Sequence, residues 1–303
     1  MGTFSRSISL VKASWGVLRQ DKELILLPAI SSITSMLCVA PFFAAAFLLT
    51  AEQTVTSTTT QTGTTSNFTM SPVGYVFLFI AYLIGAYVTI FFQTALVLAA
   101  NDRLTGGSPT LGTALAGAWS NAGRILPWAI ISATVSVVLQ AIQERAGIIG
   151  RIVIGIVGLA WTLVTLLVLP ILVIEQVGVK EAFTRSATAF KKTWGENVVG
   201  NGGIGLVVML IMLGGMLVLS PVLIVGISSG SVPVIVLGAV LLVVWAILVS
   251  VFGAALNGVF RTALYRYAVL GEEPAGFSHD QIAGAFKPKK KGMFGSSAAV
   301  GPT

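Results

Sequence analysis

Six stretches of this chain are too long and too apolar to belong anywhere but in a bilayer: residues 24–50, 72–100, 125–142, 148–174, 197–226 and 232–259. Roughly 20 residues of α-helix cross the hydrocarbon, and a water-free medium forces every backbone N–H and C=O to pair internally, so each stretch reads as one spanning helix. Pro41 lies inside the first and removes a backbone donor, which predicts a bend there. Away from their ends the six stretches carry no Asp, Glu, Lys, Arg or His. Only 10% of all residues are charged and 55% are hydrophobic, whereas about a quarter of a soluble domain is charged. A soluble globular fold is excluded, and the expected class is all-α and polytopic.

A second feature ties the spans together. Residues 4–16 (FSRSISLVKASWG) and 183–195 (FTRSATAFKKTWG) align without a gap and share Phe4/Phe183, Arg6/Arg185, Ser7/Ser186, Lys12/Lys191, Trp15/Trp194 and Gly16/Gly195. At 3.6 residues per turn, Phe4, Ile8, Val11, Trp15 and Leu18 form one stripe, and Val179, Phe183, Ala187, Phe190 and Trp194 form another. Each segment reads as an amphipathic helix lying in the membrane interface, with its apolar stripe down and its Lys and Arg toward lipid phosphates. Leu111, Leu115, Ala118, Ala122 and Ile125 repeat the spacing without the Arg, Lys and Trp, after Ser108 as the expected N-cap. The chain therefore divides into three units of surface helix plus two-helix hairpin, residues 4–100, 111–175 and 180–259. These form a single membrane domain over residues 1–275.

Between the first two spans, residues 51–71 are rich in Thr and low in complexity, which predicts an exposed flexible loop. Asn67-Phe68-Thr69 matches a glycosylation sequon. After the last span comes a basic and aromatic collar at residues 261–267, then a cytoplasmic tail, 276–303, with Lys287 and Lys289 to Lys291 and a disordered end. With the N-terminus inside, all of the 18 Lys and Arg except Arg145 and Arg151 fall on one side. That bias sets both termini in the cytoplasm of a cell with this protein in its inner or plasma membrane.

Signals for chemistry are sparse. Cys38 is the only cysteine, so no intrachain disulfide or cysteine metal site is expected. Gly200 to Gly205 fits GxGxxG but follows a helix and lacks the strand that a dinucleotide site needs. Gly226 to Gly230 fits GxSxG, yet the only histidine, His279, lies across the membrane from it. Neither an enzyme nor a cofactor is expected. The basic residues flank spans, so they read as topology signals and lipid contacts and not as a nucleic-acid surface. Gln93, Gln140 and Asn257, each near a helix end, are expected in interhelical hydrogen bonds, and Glu175 as a helix-end charge beside Lys180. Without buried ionisable groups in the spans, proton coupling is disfavoured.

Two end motifs carry a resemblance. SxxxxKxSWGxLRxDKELxxLP over residues 7–28 and FRTALYRYAVLGEEPAGF over residues 260–277 resemble a domain-of-unknown-function family of bacterial six-span membrane proteins, DUF6159-like. A looser likeness is to the membrane domain of some glycerophosphodiesterases; the catalytic half of those proteins has no counterpart in these residues. The resemblance implies location and architecture, and no activity. The expected function is a non-enzymatic protein that engages anionic phospholipid and organises lipid, a membrane protein partner or a second copy. Arg6, Lys12, Trp15, Arg185, Lys191, Lys192, Trp194, Arg261 and Arg266 are the candidate headgroup contacts. The alternative is a channel or carrier for a small or lipophilic solute.

Overall fold

A computed structural model describes residues 3–51, 57–60, 63–66, 71–194 and 204–274. Ten α-helices are described: α1 (Thr3–Gln20), α2 (Glu23–Ala51), α3 (Pro72–Leu104), α4 (Leu111–Ser120), α5 (Ala122–Arg145), α6 (Ile148–Val164), α7 (Val168–Ile174), α8 (Val179–Trp194), α9 (Ile204–Ser229) and α10 (Val232–Tyr265). A π-helical turn, Arg266–Leu270, continues α10. Six segments are long and apolar enough to cross a membrane, with α6 and α7 together making the fourth. The tail beyond Pro274 and the GxGxxG residues 200–203 lie outside the described residues.

Local chemistry decides the element ends. α4 starts from Thr110, not Ser108, because Thr110 and Thr113 form a reciprocal capping box in which each side-chain oxygen accepts from the other's backbone N–H, at 3.2 and 3.0 Å. The fourth span breaks at residues 165–167, just ahead of Pro170, whose ring excludes the Leu166 carbonyl from a regular helix. Pro41 and Pro221 sit inside α2 and α9, which run past them as continuous helices. Part of the Thr-rich segment departs from the expected loop: Ser57–Thr60 and Gly63–Ser66 pair antiparallel, with Thr58 opposite Thr65. β-branched Thr favours extended backbone, and this accounts for the ribbon.

Burial is concentrated at one end of the bundle. On α3 the buried residues are Gly74, Ala81 and then a dense run from Phe92 to Leu104. Those of α10 run mostly from Val249 to Tyr265, and α7 is buried from Val168 to Val173. By contrast α6 buries no residue, and α9 buries only Ile204 and Gly226. α2 packs along α3, and α9 along α10. In the second pair Gly226 and Gly238 bring the backbones together: a Cβ on Gly238 would stand 2.8 Å from the backbone of Leu223.

Short helices surround the buried end. α4 packs on α3, α8 on α7, α6 and α5, and α1 on α10 and α9. Each makes an aromatic contact there: Phe91 to Trp119 at 6.1 Å, Trp161 to Phe183 at 5.9 Å and Trp15 to Phe252 at 4.9 Å. The faces that α1 and α8 bury lie beside the aromatic stripes read from sequence and overlap them at Leu18. Leu10, Ala13, Ser14, Val17 and Leu18 are buried on α1, and Ala182, Ser186 and Ala189 on α8, about a quarter turn from those stripes in both cases. On α8 small side chains let the helix approach closely, so they take the contact and the rings flank it. Ser186, one of the duplicated residues, donates to the Val164 carbonyl at 2.5 Å, which satisfies an end group that the break in the fourth span leaves open.

Candidate functional site

Polar residues in an apolar helix stand out by their spacing. Along α2, Pro28, Ser31, Ser32 and Ser35 follow i, i+3, i+4, i+7; along α10, Ser250, Ala254, Asn257 and Arg261 do nearly the same. Thr89, Gln93 and Val97 occupy a matching face of α3. The three faces, closed by Leu169 and Pro170 of α7, enclose a cleft of about 530 Å³ at the buried end of the bundle. Phe92, Leu96 and Val251 supply apolar wall, and Gly258 brings α10 against Leu96. A shallower cleft of about 460 Å³ adjoins it, sharing Ser35 and Thr89 and continuing between α2 and α3 past Val39 and Tyr82.

The electrostatics are one-sided. Arg261 lines the cleft with its Nε sealed from solvent and without a hydrogen-bond partner, and the Ser35 Oγ lining the same cleft is buried and unpartnered too. Ion-paired acids among the described residues are committed elsewhere: Asp21 to Arg103, Glu175 and Glu181 to Arg185, and Glu272 to Arg266. Ser32 donates to the Pro28 carbonyl at 2.9 Å and Asn257 to the Gly253 carbonyl at 2.8 Å. These bonds stay within one helix. Neither Asn257, Gln93 nor Gln140 makes the expected interhelical bond among the described residues.

The candidate headgroup residues separate into groups. Lys12 and Lys191, equivalent in the duplicated motif, are both exposed, and Trp15 is 39% exposed beside Phe252. Arg185 is exposed and paired with Glu175 and Glu181. Arg266 is half-buried, paired with Glu272 and donating to Asn101 at 2.9 Å. Arg261, read from sequence as part of an interfacial collar, lines the cleft: α10 runs six residues beyond Val259 and carries it there. The side chains of Arg6, Lys192 and Trp194 lie outside the described ones.

Two further clusters fix this end of the molecule. Glu175 sits with Arg185, not Lys180, and also accepts from the fully buried Tyr265 hydroxyl at 3.0 Å, joining α7, α8 and α10. Arg103 donates to Gln20 at 2.6 Å and pairs with Asp21, while Glu23 accepts from the Leu111 N–H at 3.0 Å, joining α1, α2, α3 and α4. Sequence reasoning missed Ser31, Ser35, Thr89 and Ser250; their helical spacing was the available signal. Ser228 of the GxSxG match lies in the last turn of α9 and donates to the Val225 carbonyl at 3.1 Å, a bond within its own helix.

Six apolar helices, a bundle buried at one end and a polar cleft there define an α-helical membrane protein. The chain belongs to the DUF6159 family, a family of unknown function, whose model matches residues 72–277, about two thirds of the chain. No curated protein and no solved structure matches it.

Proposed function

We propose that this is a non-enzymatic integral protein of the cytoplasmic membrane, with both ends inside, that engages anionic phospholipid headgroups and organises lipid, a partner protein or a second copy at the inner face. The observation that carries this reading is the shared exposure of Lys12 and Lys191 on α1 and α8, helices that pack around the buried end of the bundle. Helix length supports the placement. α3 and α10 have 33 and 34 residues, or about 50 Å each, against about 30 Å of hydrocarbon. The surplus of each corresponds to its densely buried part, so the polar cleft and the short helices stand at headgroup depth. A basic side chain near an anionic surface contributes about 1 kcal/mol, and several acting together enrich such lipid around the protein.

The test is the anionic fraction of lipid retained by the full chain after reconstitution in mixed zwitterionic and anionic lipid and mild extraction. Enrichment over the bulk mixture is expected for wild type, and its loss when Arg6, Lys12, Arg185, Lys191 and Lys192 are changed to Gln. Equal retention by both proteins ends the reading. The adjoining clefts favour a second reading, a carrier for a lipophilic solute that is not proton-coupled, moving along the α2–α3 groove.

A further inference from the structure

The geometry points to the cleft around Arg261 as a binding site for one phosphate-type anion, and this deepens the proposed lipid-engaging role by giving it a specific internal site. A guanidinium withdrawn from water without a partner is unfavourable, and a bound anion relieves it. Arg261 is half-buried, with a buried and unpartnered Nε and no ion pair among the described residues. The same cleft is lined by a second residue with a buried and unpartnered polar atom, the Ser35 hydroxyl. Ser31, Thr89, Gln93 and Ser250 add neutral hydroxyl and amide donors to the lining. These groups match a phosphate, whose oxygens accept several hydrogen bonds at once and which Arg binds through two parallel N–H bonds.

Size and walls narrow the occupant. A cleft of about 530 Å³ falls within the range of small-ligand sites. It accommodates a headgroup and a short length of chain, with Phe92, Val251 and Leu169 as apolar wall and the adjoining α2–α3 groove as the direction for a longer tail. The shared chemistry is a phosphate, either on a lipid with a small headgroup or free in solution.

The experiment uses the full chain in a neutral detergent. It is titrated separately with short-chain phosphatidic acid, inorganic phosphate and short-chain phosphatidylcholine, and read by thermal shift and by a direct binding isotherm. Saturable binding of the first or second is expected, with phosphatidylcholine much weaker. If only the lipid binds, the source is lipid; if only inorganic phosphate binds, the source is solute. Arg261→Gln should weaken binding by about 30-fold or more, the usual consequence of removing one member of a buried charge pair. Because that variant also changes the packing, Asn257→Asp provides the second arm. It sets a carboxylate one helical turn before Arg261, so it should occupy the guanidinium internally, keep or raise the melting temperature and abolish anion binding. The inference is overturned if neither phosphate ligand binds saturably, or if Asn257→Asp and Arg261→Gln bind as wild type does. Neither result touches the lipid-retention test, which depends on Arg6, Lys12, Arg185, Lys191 and Lys192 and not on Arg261.

Discussion

At the scale of single residues, the most constrained group is Glu175. It receives the Tyr265 hydroxyl and the Arg185 guanidinium, and Tyr265 has no exposed surface, so its hydroxyl has no water to turn to. Replacing Glu175 by Ala leaves that hydroxyl unsatisfied, at a cost of about 1–3 kcal/mol. A fall in the melting temperature of the purified chain checks it, and Tyr265→Phe on top of Glu175→Ala should recover part of the loss because the stranded group is gone. No recovery would mean the pair does not act together. Arg261 shows the limit of sequence at this scale. A cation two residues past an apolar run reads as a collar, and only the faces of α2 and α3, more than 150 residues away in the chain, decide that it points inward.

At the scale of elements, the number and order of the spans were legible because hydrophobic run length is a one-dimensional signal. The duplicated short helices were legible from their internal alignment and their 3.6-residue periodicity. Their packing face was not: the aromatic stripe was read as the side toward the membrane, and nothing in the periodicity pointed to Ala182, Ser186 and Ala189 as the side that packs on the protein. Side-chain size at a helix contact matters as much as hydrophobicity, and a stripe of rings does not report it. The α9–α10 pair shows the same rule. Gly226 and Gly238 each face the backbone of the partner helix, so Gly238→Leu forces the pair apart, with an overpacking cost of about 1–3 kcal/mol. Reduced thermal stability and faster amide exchange along α9 and α10 check it; an unchanged melting temperature would contradict the close approach.

At the scale of the whole molecule, the protein is buried where its short helices gather and open to lipid elsewhere. α6 presents Ile148, Ile152 and Ile156 outward with nothing from the described chain covering them, as a lipid-facing helix does. Fold class followed from sequence because the bilayer leaves few solutions to an apolar chain. The cleft did not, since it exists only where three separate elements meet. Everything proposed depends on the buried end standing at the inner leaflet with α1 and α8 against its surface. An experimentally determined density map of the full chain in a nanodisc containing anionic lipid tests that most directly. The expected map shows the bilayer slab ending near the level of the Trp15 and Phe252 contact, headgroup density beside Lys12 and Lys191, and α1 and α8 lying along the slab. Either helix upright within the hydrocarbon, or the Lys12 and Lys191 side chains far from any headgroup, would contradict the account.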